Sequence, residues 1–128
     1  MPTETEEQKE IVAWYRETYP QYAMSLRASQ SGGFRGKGKA GAIRTANITA
    51  MGGVTGESDL AILLPRGDFG SLLIEHKADG SAHKATEAQL AYIEYHNSVG
   101  NCAVVTRGIE AAKAAIQAYM DGQATPFP

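Results

Sequence analysis

The stretch GGVTGESDLAILLPRGDFGSLLIEHK, from Gly52 to Lys77, decides how this chain is read. Gly52, Gly53 and Gly56 mark a turn whose backbone needs conformations that side chains would forbid. Ser58 to Leu64 reads as a strand closed by Pro65, Arg66 and Gly67, and Ser71 to Lys77 as a second strand. Together they predict an antiparallel hairpin with a loop of several residues. Three charged residues interrupt this otherwise core-forming pair: Asp59 begins the first strand, and Glu75 and Lys77 close the second. Residues two apart on a strand point to one face, so Glu75 and Lys77 project together. In such a hairpin the start of one strand lies beside the end of the other, which brings Asp59 next to Glu75.

Two adjacent carboxylates repel, and burying them is expensive unless something positive sits between them. A hard divalent cation solves this problem, and oxygen ligands with retained waters suit Mg²⁺ or Mn²⁺. Such an ion lowers the pKa of a bound water and neutralises charge on a phosphoryl oxygen, with Lys77 placed to hold the attacking water and stabilise the phosphorane. That is phosphodiester hydrolysis. The plainer reading makes Glu75 and Lys77 a solvated pair and Asp59 a turn cap. An isolated E-x-K favours the plainer reading, and Asp59 in the preceding strand shifts the balance toward the site.

Working outward, Thr3 and Glu6 have the form of a capping box, with Thr5 a rival cap, for a helix that runs to about Tyr19 and stops at Pro20. Ile11, Trp14, Tyr15 and Thr18 share one face of it, continued by Glu4, Glu7 and Gln8. Tyr22 to Ala28 reads as a short strand, and Gln30 to Gly41 as a Gly-rich basic loop. Lys39 to Met51 follows as a helix with Ala42, Ile43, Ala46 and Ala50 buried. Beyond the hairpin, Lys84 to Ser98 reads as a helix with contacts from Leu90, Tyr92 and Ile93. Asn101 to Thr106 is a buried strand, Ile109 to Met120 a final helix, and residues 121–128 a flexible tail. The order α-β-α-β-β-α-β-α predicts an α/β fold, one mixed sheet flanked by helices.

At 128 residues, the chain has the length of one domain, with 43% hydrophobic and 20% charged residues as in ordinary globular proteins. No apolar run approaches the roughly 20 residues of a membrane span, and the polar, acidic start does not resemble a signal peptide. Cys102 is the only cysteine, which excludes an internal disulfide and a thiolate zinc cluster and makes a reducing, cytoplasmic setting the expectation. The net charge of −2 hides an uneven distribution. From Gln21 to Gly56 there is no acidic residue, while Arg27, Arg35, Lys37, Lys39 and Arg44 fall there, a candidate contact for DNA phosphates or else a solvated loop. Gly33 to Lys39 imitates a phosphate loop, but Ala40 stands where such a loop needs Ser or Thr, which argues against a nucleotide-binding protein.

These pieces, in this order, resemble a stand-alone VRR-NUC domain of the PD-(D/E)XK nuclease superfamily, from about Glu4 to Met120. The resemblance rests on the first helix ending WYRETYP, then LRASQSGG, GGVTGESDLAILLP, and SLLIEHKADGSAHKATEAQLAYIEYHNSVGNCAVVTRGIEAA. It implies a restriction-endonuclease-like core, with Asp59 and Glu75 as metal ligands and the backbone carbonyl of His76 as a third. It also makes Lys77 the catalytic lysine and Gln89 the helix glutamine beside it. A family glutamate on the first helix fits Glu4 best, with Glu7 on the same face as the alternative. The implied function is a Mg²⁺- or Mn²⁺-dependent DNA endonuclease, a homodimer acting on branched DNA such as Holliday junctions. The rival is a nucleic-acid-binding module whose cleavage has lapsed. Ser58 replaces the family's usual proline, the turn Ser29 to Gly32 lacks its proline and asparagine, and His76 stands where an apolar residue is common, which suits a hydrogen-bonded packing histidine.

Overall fold

The computed structural model describes residues 2–29 and 38–128. In chain order these form α1 (Glu4–Thr18), a 3-10 helix (Pro20–Ser25), β1 (Leu26–Ala28), α2 (Gly38–Ala50) and β2 (Leu60–Ile62). Then come β3 (Leu72–Lys77), α3 (Glu87–Ser98), β4 (Cys102–Arg107) and α4 (Ile109–Met120). The strands make one sheet in the order β1-β2-β3-β4. The first two pairings are antiparallel and β3 with β4 is parallel, so α3 serves as the crossover that a parallel neighbour needs. This is the mixed sheet between helices that the element order predicts.

Alternation along the strands divides the core into two layers. Leu60, Ile62, Leu72, Ile74 and Cys102 pack against Ile11 and Tyr15 of α1 and Ala112, Ile116 and Tyr119 of α4. Leu73 and Ala103 face the other way, onto Ile93 of α3, with Ala61, Tyr92 and Val105 around them. Burial pushes the Cys102 thiol up to about 11, which leaves it an inert core residue. Covered on both sides, β3 is buried along its whole length, with Glu75, His76 and Lys77 included.

Local chemistry explains where the elements depart from the sequence reading. The capping box at Thr3 and Glu6 is present, so α1 begins where predicted. The strand expected over Tyr22 to Ala28 keeps only its last three residues, because Pro20 opens a 3-10 helix. The Ser25 hydroxyl donates to the Tyr22 carbonyl at 2.6 Å and lies 2.9 Å from the Tyr15 hydroxyl, which fastens that turn to α1. In α2 the expected buried positions Ala42, Ile43, Ala46 and Ala50 are exposed, and Gly41 is the residue buried instead. Small alanines on several faces leave the apolar stripe of α2 ambiguous. Helix α3 starts at Glu87 rather than Lys84, because Thr86 and Gln89 form a capping box, and Leu90 is exposed.

Residues 121–128, expected as a flexible tail, have neither helix nor strand but run along the edge of β4. The Phe127 amide donates to the Ala103 carbonyl at 3.0 Å, and the Asn97 side chain donates to the Phe127 carbonyl at 3.2 Å. Together they cover part of an edge that would otherwise offer unpaired backbone groups.

Candidate active site

The register pairs Leu60 with Ile74, so one residue further on Asp59 faces Glu75 across β2 and β3. Gly56 makes this end of β2 possible. It sits at φ +83°, and a Cβ built there would come within 2.4 Å of the Ala88 backbone. Only glycine lets the turn press this closely on the first turn of α3, which carries Gln89. This close approach holds the turn that precedes Asp59 against the helix turn that carries Gln89.

Three carboxylates converge at this point. One oxygen from each of Glu4, Asp59 and Glu75 lies within 4.8 Å of the others. Glu4 reaches in from the first turn of α1, Asp59 from the bend just before β2, which is shorter than the strand expected over Ser58 to Leu64, and Glu75 from buried β3. Asp59 is steadied through Oδ2, which accepts the His76 amide at 2.8 Å. Glu75 is 1% exposed; its Oε2 is 3.3 Å from Nζ of Lys77, while its buried Oε1 has no hydrogen-bond partner among the described residues. Burial, then the neighbouring Asp59 charge, push the Glu75 carboxyl up to about 8, with Lys77 pulling the other way. Without a cation, a proton settles the repulsion. A hard divalent ion would do the same through oxygen donors, and the orphaned Oε1 is a donor such an ion needs. The residues fit the group.

Lys77 is held on two sides. Its Nζ donates to Gln89 Oε1 at 3.2 Å, and that same oxygen accepts the Thr86 amide at 2.8 Å within the capping box. The helix cap therefore also fixes the partner of the lysine. Thr86-x-x-Gln89 is visible in the sequence, although its double use is not.

Glu7, the alternative to Glu4, lies elsewhere. Its Oε1 is 2.8 Å from Nε2 of His76, and its Oε2 accepts the Asp79 amide at 3.2 Å. His76 faces away from Glu75, and its Nδ1 lies 2.8 Å from the Thr106 hydroxyl, as a hydrogen-bonded packing histidine should. Of the expected DNA contacts, Arg27 is exposed on β1, and Lys39 and Arg44 are exposed on α2. Arg35 and Lys37 lie outside the described residues, as does most of the stretch that imitates a phosphate loop.

Ser29 lines two clefts, one that includes Glu4 and Asp59 and one that reaches Ser58, next to Asp59. One, of about 400 Å³, runs along α1 past Glu4, Lys9, Arg16 and Asp59. The other, of about 550 Å³, lies over the α3 side of the sheet. Sequence reading singled out neither Lys9 nor Arg16, because their seven-residue spacing on an exposed helix face is common.

No protein-family model matches the sequence, and no curated protein does. A solved structure described as "VRR_NUC domain protein" is similar over 97% of this chain and 93% of its own, with a TM-score of 0.80 at 29% sequence identity. No helix among the described residues is long and apolar enough to cross a membrane. The likeness covers both chains nearly end to end, and gives this chain the fold of that VRR-NUC domain structure, a nuclease-type fold.

Proposed function

We propose that this chain is a divalent-metal-dependent DNA endonuclease, hydrolysing phosphodiester bonds without a covalent intermediate. The observation that carries this reading is the buried, unpartnered oxygen of Glu75 among three converging carboxylates, with a lysine alongside. Glu4, Asp59 and Glu75 would hold Mg²⁺ or Mn²⁺, together with the backbone carbonyl of His76. The cation, when bound, supplies positive charge at the phosphate and a more acidic water.

The rest falls to this chain's own groups. Lys77, kept in place by Glu75 and Gln89, presents an ammonium to the attacking water and to charge that develops on the phosphoryl oxygens. Because both partners hold its Nζ, little reorganisation is needed when that charge appears. Arg27, Lys39 and Arg44, with Arg35 and Lys37, would contact the DNA backbone. Such contacts give affinity that falls as salt rises.

A homodimer acting in the cytoplasm on branched DNA completes the proposal, since two sites related by symmetry allow paired cuts. Its support is the family resemblance together with Ile43 and Val54, apolar and 53% exposed on and beside α2. The test is incubation with a labelled four-way junction and a matched linear duplex, in Mg²⁺, Mn²⁺ or EDTA. Metal-dependent cutting of the junction alone supports structure selectivity, and cutting of both keeps the chemistry but removes that selectivity. Binding of both without cutting in any metal favours the lapsed module.

A further inference from the structure

We propose that the larger cleft is a subsite for an unstacked nucleobase of the DNA strand whose phosphate meets the carboxylates, an inference that rests on the nuclease reading above. The cleft measures about 550 Å³, within the range of small-molecule sites. Ala61 and Leu73 form its floor, on the sheet face from which Glu75 and Lys77 project. Leu73 and Glu75 are neighbours on that face, about 7 Å apart by strand rise. The floor therefore continues directly into the carboxylate cluster. A strand with its phosphate at the cluster has an adjacent base within reach of the cleft.

The lining chemistry selects a base over other parts of DNA. Ile48 and Met51, at the end of α2 and just beyond it, make an apolar wall, and Met51 is 86% exposed at the mouth. Tyr92 and His96 of α3, whose ring centres are 4.4 Å apart, line the cleft too. Aromatic and apolar walls suit the π-face of any base. Arg27 and Glu57 line the cleft as well, a cationic donor and an anionic acceptor, with Glu57 Oε1 already accepting the Ser29 hydroxyl at 2.8 Å. A phosphate would be repelled by Glu57, whereas a base edge offers both acceptors and N–H donors. Ser58, next to Asp59 and lining the cleft, has a buried hydroxyl with no partner among the described residues. Such a group is costly unless something joins it.

The test measures binding in Ca²⁺, a cation that oxygen donors accept, so that the carboxylates can meet a phosphate, and the DNA is checked to be intact in each sample. A labelled DNA with a short single-stranded segment beside a duplex is compared with a series carrying one abasic position each. The proposal expects one abasic position to weaken wild-type binding by roughly tenfold. That ratio should survive added salt, because a base contact releases no counterions. Tyr92→Leu should abolish the ratio, and Ser58→Ala, which removes only a hydroxyl, should reduce it even if the first variant folds poorly. Equal affinity for every abasic DNA in the wild type overturns the subsite, whether or not the protein cuts. Base-dependent binding without metal-dependent cutting keeps the subsite and overturns the nuclease reading instead.

Discussion

Oε1 of Glu7 and Nε2 of His76 lie 2.8 Å apart, both side chains buried, where α1 crosses β3. The same histidine reaches Thr106 on β4 through its ring and Asp59 through its backbone amide. One residue thus ties the first helix, the parallel neighbour strand and a candidate metal ligand together. Glu4 stands one turn before Glu7, so this contact sets how α1 delivers Glu4 to the carboxylate cluster.

Replacing Glu7 should therefore cost stability and metal binding together. Glu7→Leu leaves the His76 ring and the Asp79 amide without their partner in a buried place, a loss of about 2–4 kcal/mol. Glu7→Gln keeps an acceptor for one of them and should lose about 1–2 kcal/mol. Urea unfolding measures both, and Mn²⁺ titration of each folded variant should show weaker binding in the same order.

Gly56→Ala meets two obstacles at once, a positive φ and a backbone atom 2.4 Å from the new Cβ. Neither the turn nor α3 can give way cheaply, and about 2–4 kcal/mol of destabilisation is expected. Thermal unfolding checks the loss. The folded fraction should also cleave poorly, because Asp59 and Gln89 are spaced through this contact.

The hairpin and its two carboxylates were legible because a strand's period of two and an antiparallel register leave few choices. The cap at Thr3, buried β4 and the span of α4 follow equally from local signals. Glu4 and Glu7 were not separable, since both lie on one helix face three residues apart. Only the contact of Glu7 with His76, 69 positions away, assigns them different places. The facing of α2 was lost among its alanines. The larger cleft was invisible because its walls come from β1, α2, β2, β3 and α3 together.

The raised Glu75 carboxyl predicts how pH and metal interact. Without a cation the folded protein keeps a proton up to about pH 8 that the unfolded chain releases near its ordinary value of 4.5. The folded state binds more protons across that window, so this group's contribution to stability falls as pH rises from 4.5 to 8. A bound cation takes the place of the proton. Added Mg²⁺ should then raise Tm more at pH 8 than at pH 6, and calorimetry in two buffers at pH 7 should find close to one proton released per ion. A pH-independent Tm shift with no proton release would contradict this.

Gln89 has two tasks that substitutions can separate. Gln89→Glu keeps acceptors for the Thr86 amide and for Lys77, and should leave α3 intact. Gln89→Ala loses both, at about 1 kcal/mol of stability for the cap. Its larger effect should be on kcat, about tenfold or more, because Lys77 is then held from one side only. A kcat and KM split for the two variants distinguishes this from a simple folding defect.

The decisive measurement is on Lys77→Ala, assayed for DNA cleavage and for Mn²⁺ binding on the same preparation. The wild type should cut only with metal, and the variant should bind Mn²⁺ through Glu4, Asp59 and Glu75 yet cut at least about a hundredfold more slowly. Cutting by the variant at the wild-type rate, or cutting by the wild type undiminished in EDTA, would contradict the proposed function.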